Sequence, residues 1–155
     1  MAKYAISEVI EQAVQTEKLG AEFYSKMAVK FEKDKGLKKL FTTLAAMEVL
    51  HEKRFEGLKN RIKDEGIEGW EEVSQYLRAI VESAFFLGQG KSLGSLKNVR
   101  KVIDAVDYAL AFEKETFLYY IGIRDSLKSK KIINEIIKEE RSHIIWLNKF
   151  RKTIG

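Results

Sequence analysis

Both histidines of this chain follow a glutamate at a distance of three residues, a spacing that suits metal binding. Glu48 precedes His51 in one stretch, and Glu140 precedes His143 in the other. On an α-helix, residues three apart lie on one face, so their side chains can converge. Carboxylates and imidazole are ligands that iron and manganese accept, and the absence of cysteine disfavours a zinc-thiolate or copper site. The two stretches therefore predict metal chemistry.

Two further glutamates, Glu17 and Glu113, each interrupt a run of apolar residues at helical spacing. A single carboxylate in such a place is ordinarily a surface residue whose stem packs against its neighbours. Four carboxylates in one core repel each other and lose their hydration, a cost that two divalent cations would offset. One Glu from each of two helices, with Glu-x-x-His from two others, is the ligand set of di-iron and di-manganese bundles. The candidate metal ligands are Glu17, Glu48, His51, Glu113, Glu140 and His143.

In the second Glu-x-x-His motif, two neighbouring glutamates are candidates for the same ligand position. Glu139 precedes Glu140 and is four residues before His143, so either carboxylate could reach the same ion. The apolar residues that flank Glu140 match those that flank Glu48, which favours Glu140.

Two tyrosines share the face of the lone glutamates. Tyr24 follows Glu17 by seven residues, and Tyr120 follows Glu113 by the same distance. Each tyrosine could hydrogen-bond a ligand carboxylate or donate electrons or protons to the site, which makes both candidate catalytic residues. Each could equally be a buried tyrosine whose hydroxyl is satisfied elsewhere.

The elements that carry these residues are helices. The chain has no proline, which favours long uninterrupted helices, and apolar residues recur every three or four positions in four long segments. A shorter segment, about 70–84, has the same periodicity. These long helices are predicted at about 5–31, 37–63, 96–127 (with Ser95 as N-cap) and 132–152.

The connection between the second and third long helices is itself long. A glycine-rich stretch, 85–94, follows the short helix, and it begins with three apolar residues that pack either beneath the connection or in a subunit contact. A segment of roughly 30 residues can cross the length of a bundle, so the helices on either side of it can be parallel. The fold class predicted is all-α, a four-helix bundle with a long crossover that carries a short helix.

The two halves of the chain match each other weakly. Glu17 and its tyrosine match Glu113 and its tyrosine at an offset of 96 residues. The two Glu-x-x-His motifs match at an offset of 92 residues. This correspondence indicates an old duplication and a pseudo-twofold bundle.

Composition limits the other classes of function. The 155 residues suit one domain spanning 1–155, and no run is apolar enough to cross a membrane. No secretory signal precedes the first helix, so we expect a cytoplasmic protein. The net charge of +5 is spread along the chain rather than gathered on one face, which disfavours a nucleic-acid partner.

The six candidate ligands resemble those of the ferritin-like superfamily, and specifically the di-iron domain of rubrerythrin-type proteins. The resemblance implies that Glu48 and Glu140 bridge two iron ions, that Glu17 and Glu113 are terminal ligands, and that one histidine completes each ion. Thr116 stands where rubrerythrin has a further glutamate, which departs from the redox-linked ligand exchange of that family. The chain also lacks the four cysteines of a rubredoxin domain, so its electrons must come from a separate donor.

The resemblance implies an oxidoreductase of oxidative-stress defence that reduces hydrogen peroxide or dioxygen, and we expect it to be a homo-oligomer such as a dimer. Manganese could replace iron in such a site. Three other functions remain open: a ferroxidase or iron-storage protein, a manganese catalase or hydroxylase-like enzyme, and a metal-free structural bundle.

Overall fold

The computed structural model describes residues 6–62, 70–82 and 98–154. Within these residues the chain forms five α-helices and no strand, and no helix is long and apolar enough to span a membrane. The helices are α1 (Ile6–Lys30), α2 (Lys35–Arg61), α3 (Trp70–Val81), α4 (Val102–Ser126) and α5 (Lys131–Thr153).

The predicted bounds of three long helices, α1, α2 and α5, agree with the structure to within two residues. The bound that differs is the start of α4, which was expected at residue 96 and lies at Val102. The Asp104 carboxylate explains this, because it accepts the backbone N–H groups of Arg100 and Lys101 and so caps a helix that starts there. The proposed cap Ser95 and the apolar residues 85–87 lie outside the described residues.

Short links join the long helices into two hairpins. Asp34 forms the link between α1 and α2, where its side chain accepts the backbone N–H of Leu37 at 3.0 Å and caps α2. Residues 127–130 connect α4 to α5. Such short links leave no room for a crossover, so the helices within each hairpin are antiparallel.

Contacts between the hairpins fix the relative direction of their helices. Tyr24 on α1 reaches Glu113 on α4, whereas Tyr120 on α4 reaches the earlier residue Glu17 on α1. Positions along α1 therefore ascend as positions along α4 descend, and these two helices are antiparallel. Because α2 is also antiparallel to α1, α2 and α4 are parallel. This confirms the bundle with a long crossover.

The interior consists of two apolar clusters with a polar layer between them. One cluster contains Phe55 and Tyr119 and lies where α1 begins, and the other contains Phe23 and Phe112 and lies where α1 ends. On each long helix, the residues between the two clusters include buried carboxylates. The polar layer is thus enclosed by apolar side chains along the bundle axis.

The short helix α3 packs on α4. Leu77 is fully buried there, and the Tyr76 hydroxyl donates to the backbone carbonyl of Leu118 at 3.0 Å. Gly122 allows the close approach, because a Cβ at that position would lie 2.7 Å from Leu77 Cδ2 and 3.0 Å from the Tyr76 ring.

The packing of α3 can be tested with matched alanine substitutions. Gly57→Ala meets no atom within 4 Å, so it should raise the free energy of unfolding by about 0.5–1 kcal/mol through lower chain entropy. The free energy of unfolding of Gly122→Ala should be about 1–3 kcal/mol lower than that of the control variant Gly57→Ala, because the added methyl group overpacks a buried leucine. Urea denaturation in the presence of a chelator measures both. Equal stability of the two variants would contradict the packing described.

Candidate metal centre

All six predicted ligands lie together in the polar layer, and the side chain of none is more than 3% exposed. Helices α1 and α4 each contribute one glutamate, and α2 and α5 each contribute a Glu-x-x-His pair. On α2, the flanking residues Leu44 and Phe55 are also fully buried. The motif is therefore buried because it continues the apolar stripe of its helix, as the three–four spacing predicts.

The six residues form two groups of four. One group contains Glu17 and His51, and the other contains Glu113 and His143; Glu48 and Glu140 belong to both. Within each group, one ligand atom from every residue lies within 4.8 Å of the others. Each group offers three carboxylates and one imidazole, so the arrangement provides two adjacent cation sites with two carboxylates in common.

The histidines direct the same ring nitrogen into the cluster. Nδ1 of His51 lies 2.9 Å from Glu140 Oε1 and 3.5 Å from Glu17 Oε1. Nδ1 of His143 lies 3.6 Å from Glu113 Oε1. The two imidazole rings stack with their centroids 5.6 Å apart at an interplanar angle of 17°.

The two tyrosines cross between the hairpins. The Tyr24 hydroxyl donates to Glu113 Oε1 at 2.7 Å, and the Tyr120 hydroxyl donates to Glu17 Oε1 at 2.5 Å. Each tyrosine therefore bonds the carboxylate of the opposite helix and not the glutamate on its own. Burial, and next the facing carboxylate, raise the pKa of both hydroxyl groups well above 10.0, which keeps them protonated as donors.

Two carboxyl groups in the cluster resist ionisation. Burial, followed by repulsion from Glu17 and Glu113, raises the pKa of Glu48 well above 4.5. Burial and the neighbouring Glu113 do the same to the pKa of Glu140. These are the two residues that both groups share, so a cation between them would replace the protons that they hold.

Two other groups in the cluster, Glu113 and His51, favour their charged forms. Although burial opposes ionisation, contacts with Glu140 and His143 lower the pKa of Glu113 to about 2. Burial likewise opposes the imidazolium, but the Glu17 carboxylate helps to raise the pKa of His51 to about 11. The cluster thus attracts positive charge.

Many polar atoms of the six clustered residues are buried without a hydrogen-bond partner, as expected of atoms that bind metal ions. Eight oxygen and nitrogen atoms of the six residues are buried and have no hydrogen-bond partner within the described part of the chain. A buried polar atom without a partner costs roughly 1–3 kcal/mol, so this many in one place would be strongly destabilising. Oxygen and imidazole donors around two positions suit iron or manganese. The atoms are Glu17 Oε2, Glu48 Oε1, Glu113 Oε2, Glu140 Oε1 and Oε2, His51 Nδ1, and His143 Nδ1 and Nε2.

The structure places Glu139 and Glu140, the two candidate ligands on α5, in different surroundings. Glu140 is fully buried in the cluster, whereas the side chain of Glu139 is 31% exposed and lies on the outer side of His51. Glu139 Oε2 accepts a 2.6 Å hydrogen bond from His51 Nε2, and Arg54 Nη1 donates to the same oxygen at 3.1 Å. This pairing of α2 with α5 could not be found from spacing, because it joins residues 88 positions apart.

Two small residues, Gly20 and Thr116, lie at corresponding positions three residues after Glu17 and Glu113, and the role of Gly20 was not predicted from the sequence. A Cβ at Gly20 would lie 3.0 Å from Glu48 Oε2, so glycine makes room for that carboxylate. Thr116, which follows Gly20 by 96 residues, is 2% exposed, and its hydroxyl has no hydrogen-bond partner among the described residues. The pseudo-twofold halves therefore differ next to the ligands.

The pKa shifts predict how the stability of chelator-treated protein changes with pH. The pKa values of Glu48 and Glu140 are raised from 4.5 and that of His51 from 6.5, so the stability that these groups contribute is lost as pH rises. The pKa of Glu113 is lowered, so this group changes the stability of the protein only below about pH 4.5, the pKa it has in the unfolded chain. The midpoint of thermal unfolding should therefore fall between about pH 5 and about pH 8.

Glu48→Gln removes one of these titrating groups and should make the fall shallower, and Glu135→Gln, an exposed change, should leave it intact. Differential scanning calorimetry checks this. A midpoint that rises over the same range would contradict the assignment.

Comparisons with known proteins agree with this geometry. The rubrerythrin family model matches residues 8–86, a range that includes most of α1, all of α2 and α3, and three of the six clustered residues. No curated protein matches the sequence.

Among solved structures, the chain is similar to a protein from Thermotoga maritima described as ferritin-like and diiron-carboxylate. The two are 24% identical, with a TM-score of 0.72, and the match covers 98% of this chain and 97% of the other. At this identity the similarity shows the fold, which is ferritin-like. Since the family model covers more than half of the sequence, the chain belongs to the rubrerythrin family, and its buried cluster of glutamates and histidines is the candidate metal centre of a ferritin-like bundle.

Proposed function

We propose that this protein is a di-iron oxidoreductase that reduces hydrogen peroxide or dioxygen with electrons from a separate donor protein. The observation that carries the proposal is the pair of four-residue groups that share Glu48 and Glu140. Two adjacent sites with common carboxylates suit a reaction that needs two electrons at one place. The family supports the same reading.

The six clustered residues would hold the ions. Glu48 and Glu140 would bridge them, since both belong to each group. Glu17 with His51 would complete one site, and the remaining glutamate and histidine would complete the other. When bound, two ferrous ions would supply one electron each, and these two electrons with two protons are what the conversion of hydrogen peroxide to water requires.

The surrounding residues control water and protons. Apolar clusters close the polar layer at both ends of the bundle, so the low polarity there strengthens every charge interaction within it. Tyr24 holds a proton at Glu113 Oε1, and Tyr120 holds one at Glu17 Oε1. These hydrogen bonds orient the two outer carboxylates and keep a donor beside each site.

The proposed function needs a source of electrons outside the described bundle. The chain has no cysteine and so cannot bind an iron–sulfur centre of its own. The proposal therefore assigns delivery of electrons to a separate donor protein. We further propose that the protein acts as a homo-oligomer, and sedimentation of the loaded protein would measure its assembly.

The proposal is tested by loading purified protein anaerobically with Fe²⁺, reducing it and mixing it with hydrogen peroxide. We expect two iron ions per chain and rapid loss of peroxide, because both groups of ligands are complete. Glu48→Ala should lose binding at both positions, since its carboxylate is common to them. Glu52→Ala, one turn away on α2, serves as the control. Full loading without peroxide or dioxygen consumption would contradict the proposal.

Tyr119, the residue directly before Tyr120 on α4, provides a matched control for the two tyrosines. Tyr24→Phe and Tyr120→Phe should each keep two ions but lower turnover by about 10-fold or more, because they leave a ligand carboxylate without its donor. Tyr119→Phe removes a hydroxyl that donates to the Val9 carbonyl instead, and turnover should stay near that of the parent. Stopped-flow kinetics measures all three. Identical rates in the three variants would show that the tyrosines only fill space.

A further inference from the structure

Both histidines direct Nδ1 at carboxylates on the inner side of the cluster, but their environments on the outer side differ. Nε2 of His51 donates to Glu139 Oε2 at 2.6 Å. Arg54 holds that carboxylate in place, with its Nη1 atom 3.1 Å and 3.3 Å from the two oxygens. A fixed acceptor therefore stands behind His51.

His143 has no such support from any described residue. Its Nε2 atom is buried and has no hydrogen-bond partner among the residues that the structure describes. The ring that lies beside it is that of Trp146, with centroids 5.5 Å apart, and an indole can donate but not accept through its nitrogen. Within the described part of the chain, the outer side of this imidazole therefore has packing contacts and no hydrogen bond.

The internal repeat shows where this difference comes from. At the offset of 92 residues that relates the two Glu-x-x-His motifs, Arg54 corresponds to Trp146, and Glu139 corresponds to Met47. The carboxylate and guanidinium that flank one histidine are thus replaced by a thioether and an indole near the other. The repeat preserves the candidate ligands and changes their support.

We propose that Glu139 is a positioning residue that makes the metal site containing His51 bind more tightly than the site containing His143. An acceptor at Nε2 fixes the proton on that nitrogen and leaves the Nδ1 lone pair directed at the cluster, where Glu140 Oε1 lies 2.9 Å away. It also makes Nδ1 a stronger ligand. His143 must select its tautomer and ring orientation when the ion binds, which weakens that site.

The inference rests on the metal binding of the proposed function but not on peroxide reduction. It predicts that the two positions fill in sequence, the His51 position first. Loss of a carboxylate behind a ligating histidine typically lowers metal affinity by about 10–100-fold, so the separation between the two steps should be of that size.

Titration with Co²⁺, followed by visible absorption and calorimetry, tests the order. The parent protein should bind two ions in steps that differ by about 10-fold or more. His143→Leu should keep the tighter step, whereas His51→Leu should remove it. Two steps of equal affinity in the parent, or the reverse assignment, would overturn the inference.

Variants at Glu139 test its part in that difference. Glu139→Ala should weaken the tighter step by about 10–100-fold and leave the other unchanged. Glu139→Gln should restore most of the affinity, because the amide oxygen can still accept from Nε2. Glu135→Ala removes the same charge one turn earlier on α5 and should behave like the parent. An unchanged tighter step in Glu139→Ala, or equal losses in Glu135→Ala, would show that Glu139 does not position His51.

This experiment separates the two proposals. Parent protein that binds Co²⁺ in two unequal steps, controlled by Glu139, supports the inference even if its iron-loaded form consumes no oxidant. Parent protein that binds no Co²⁺ overturns it.

Discussion

The structure depends on the burial of four carboxylates and two imidazoles in one layer of a helix bundle. Such a layer is unfavourable by itself, because the charges lose their hydration and the carboxylates repel each other. The shifts in pKa show how the cluster responds: the shared Glu48 and Glu140 retain protons, and His51 retains a positive charge. Two divalent cations would supply the positive charge that the layer requires. Metal binding in this layer would therefore also stabilise the bundle.

The rest of the fold supplies what that layer needs. Apolar clusters on both sides stabilise the bundle and keep the layer enclosed. The antiparallel arrangement of α1 and α4, which the long crossover permits, allows Tyr24 and Tyr120 to reach across to the opposite outer carboxylates. Gly20 leaves space for Glu48 Oε2. Around two groups with the same residue types, Glu139 and Arg54 then make one half of the cluster chemically different from the other.

The buried cluster of six residues could be predicted from the sequence, and the partners on its outer side could not. Glu48 and His51 stand on an apolar stripe with a clear three–four step, so helical geometry alone buries them together. The hydrogen bond from Tyr24 goes to Glu113 on α4 instead of its own helix, which depends on how the helices align. The sequence offered Glu139 as an alternative ligand to Glu140. Its position behind His51 follows from the packing of α5 against α2, which the sequence does not reveal. The start of α4 was missed because the carboxylate of Asp104 caps the helix from within.

The central claim is that the shared glutamates lie between two metal ions. A crystal structure of the protein purified from its native host, with anomalous scattering recorded on both sides of the iron absorption edge, tests this most directly. The account predicts two iron peaks in the polar layer, with Glu48 and Glu140 contacting both and one histidine Nδ1 on each. A single peak, or a layer whose carboxylates are satisfied without any metal, would contradict it.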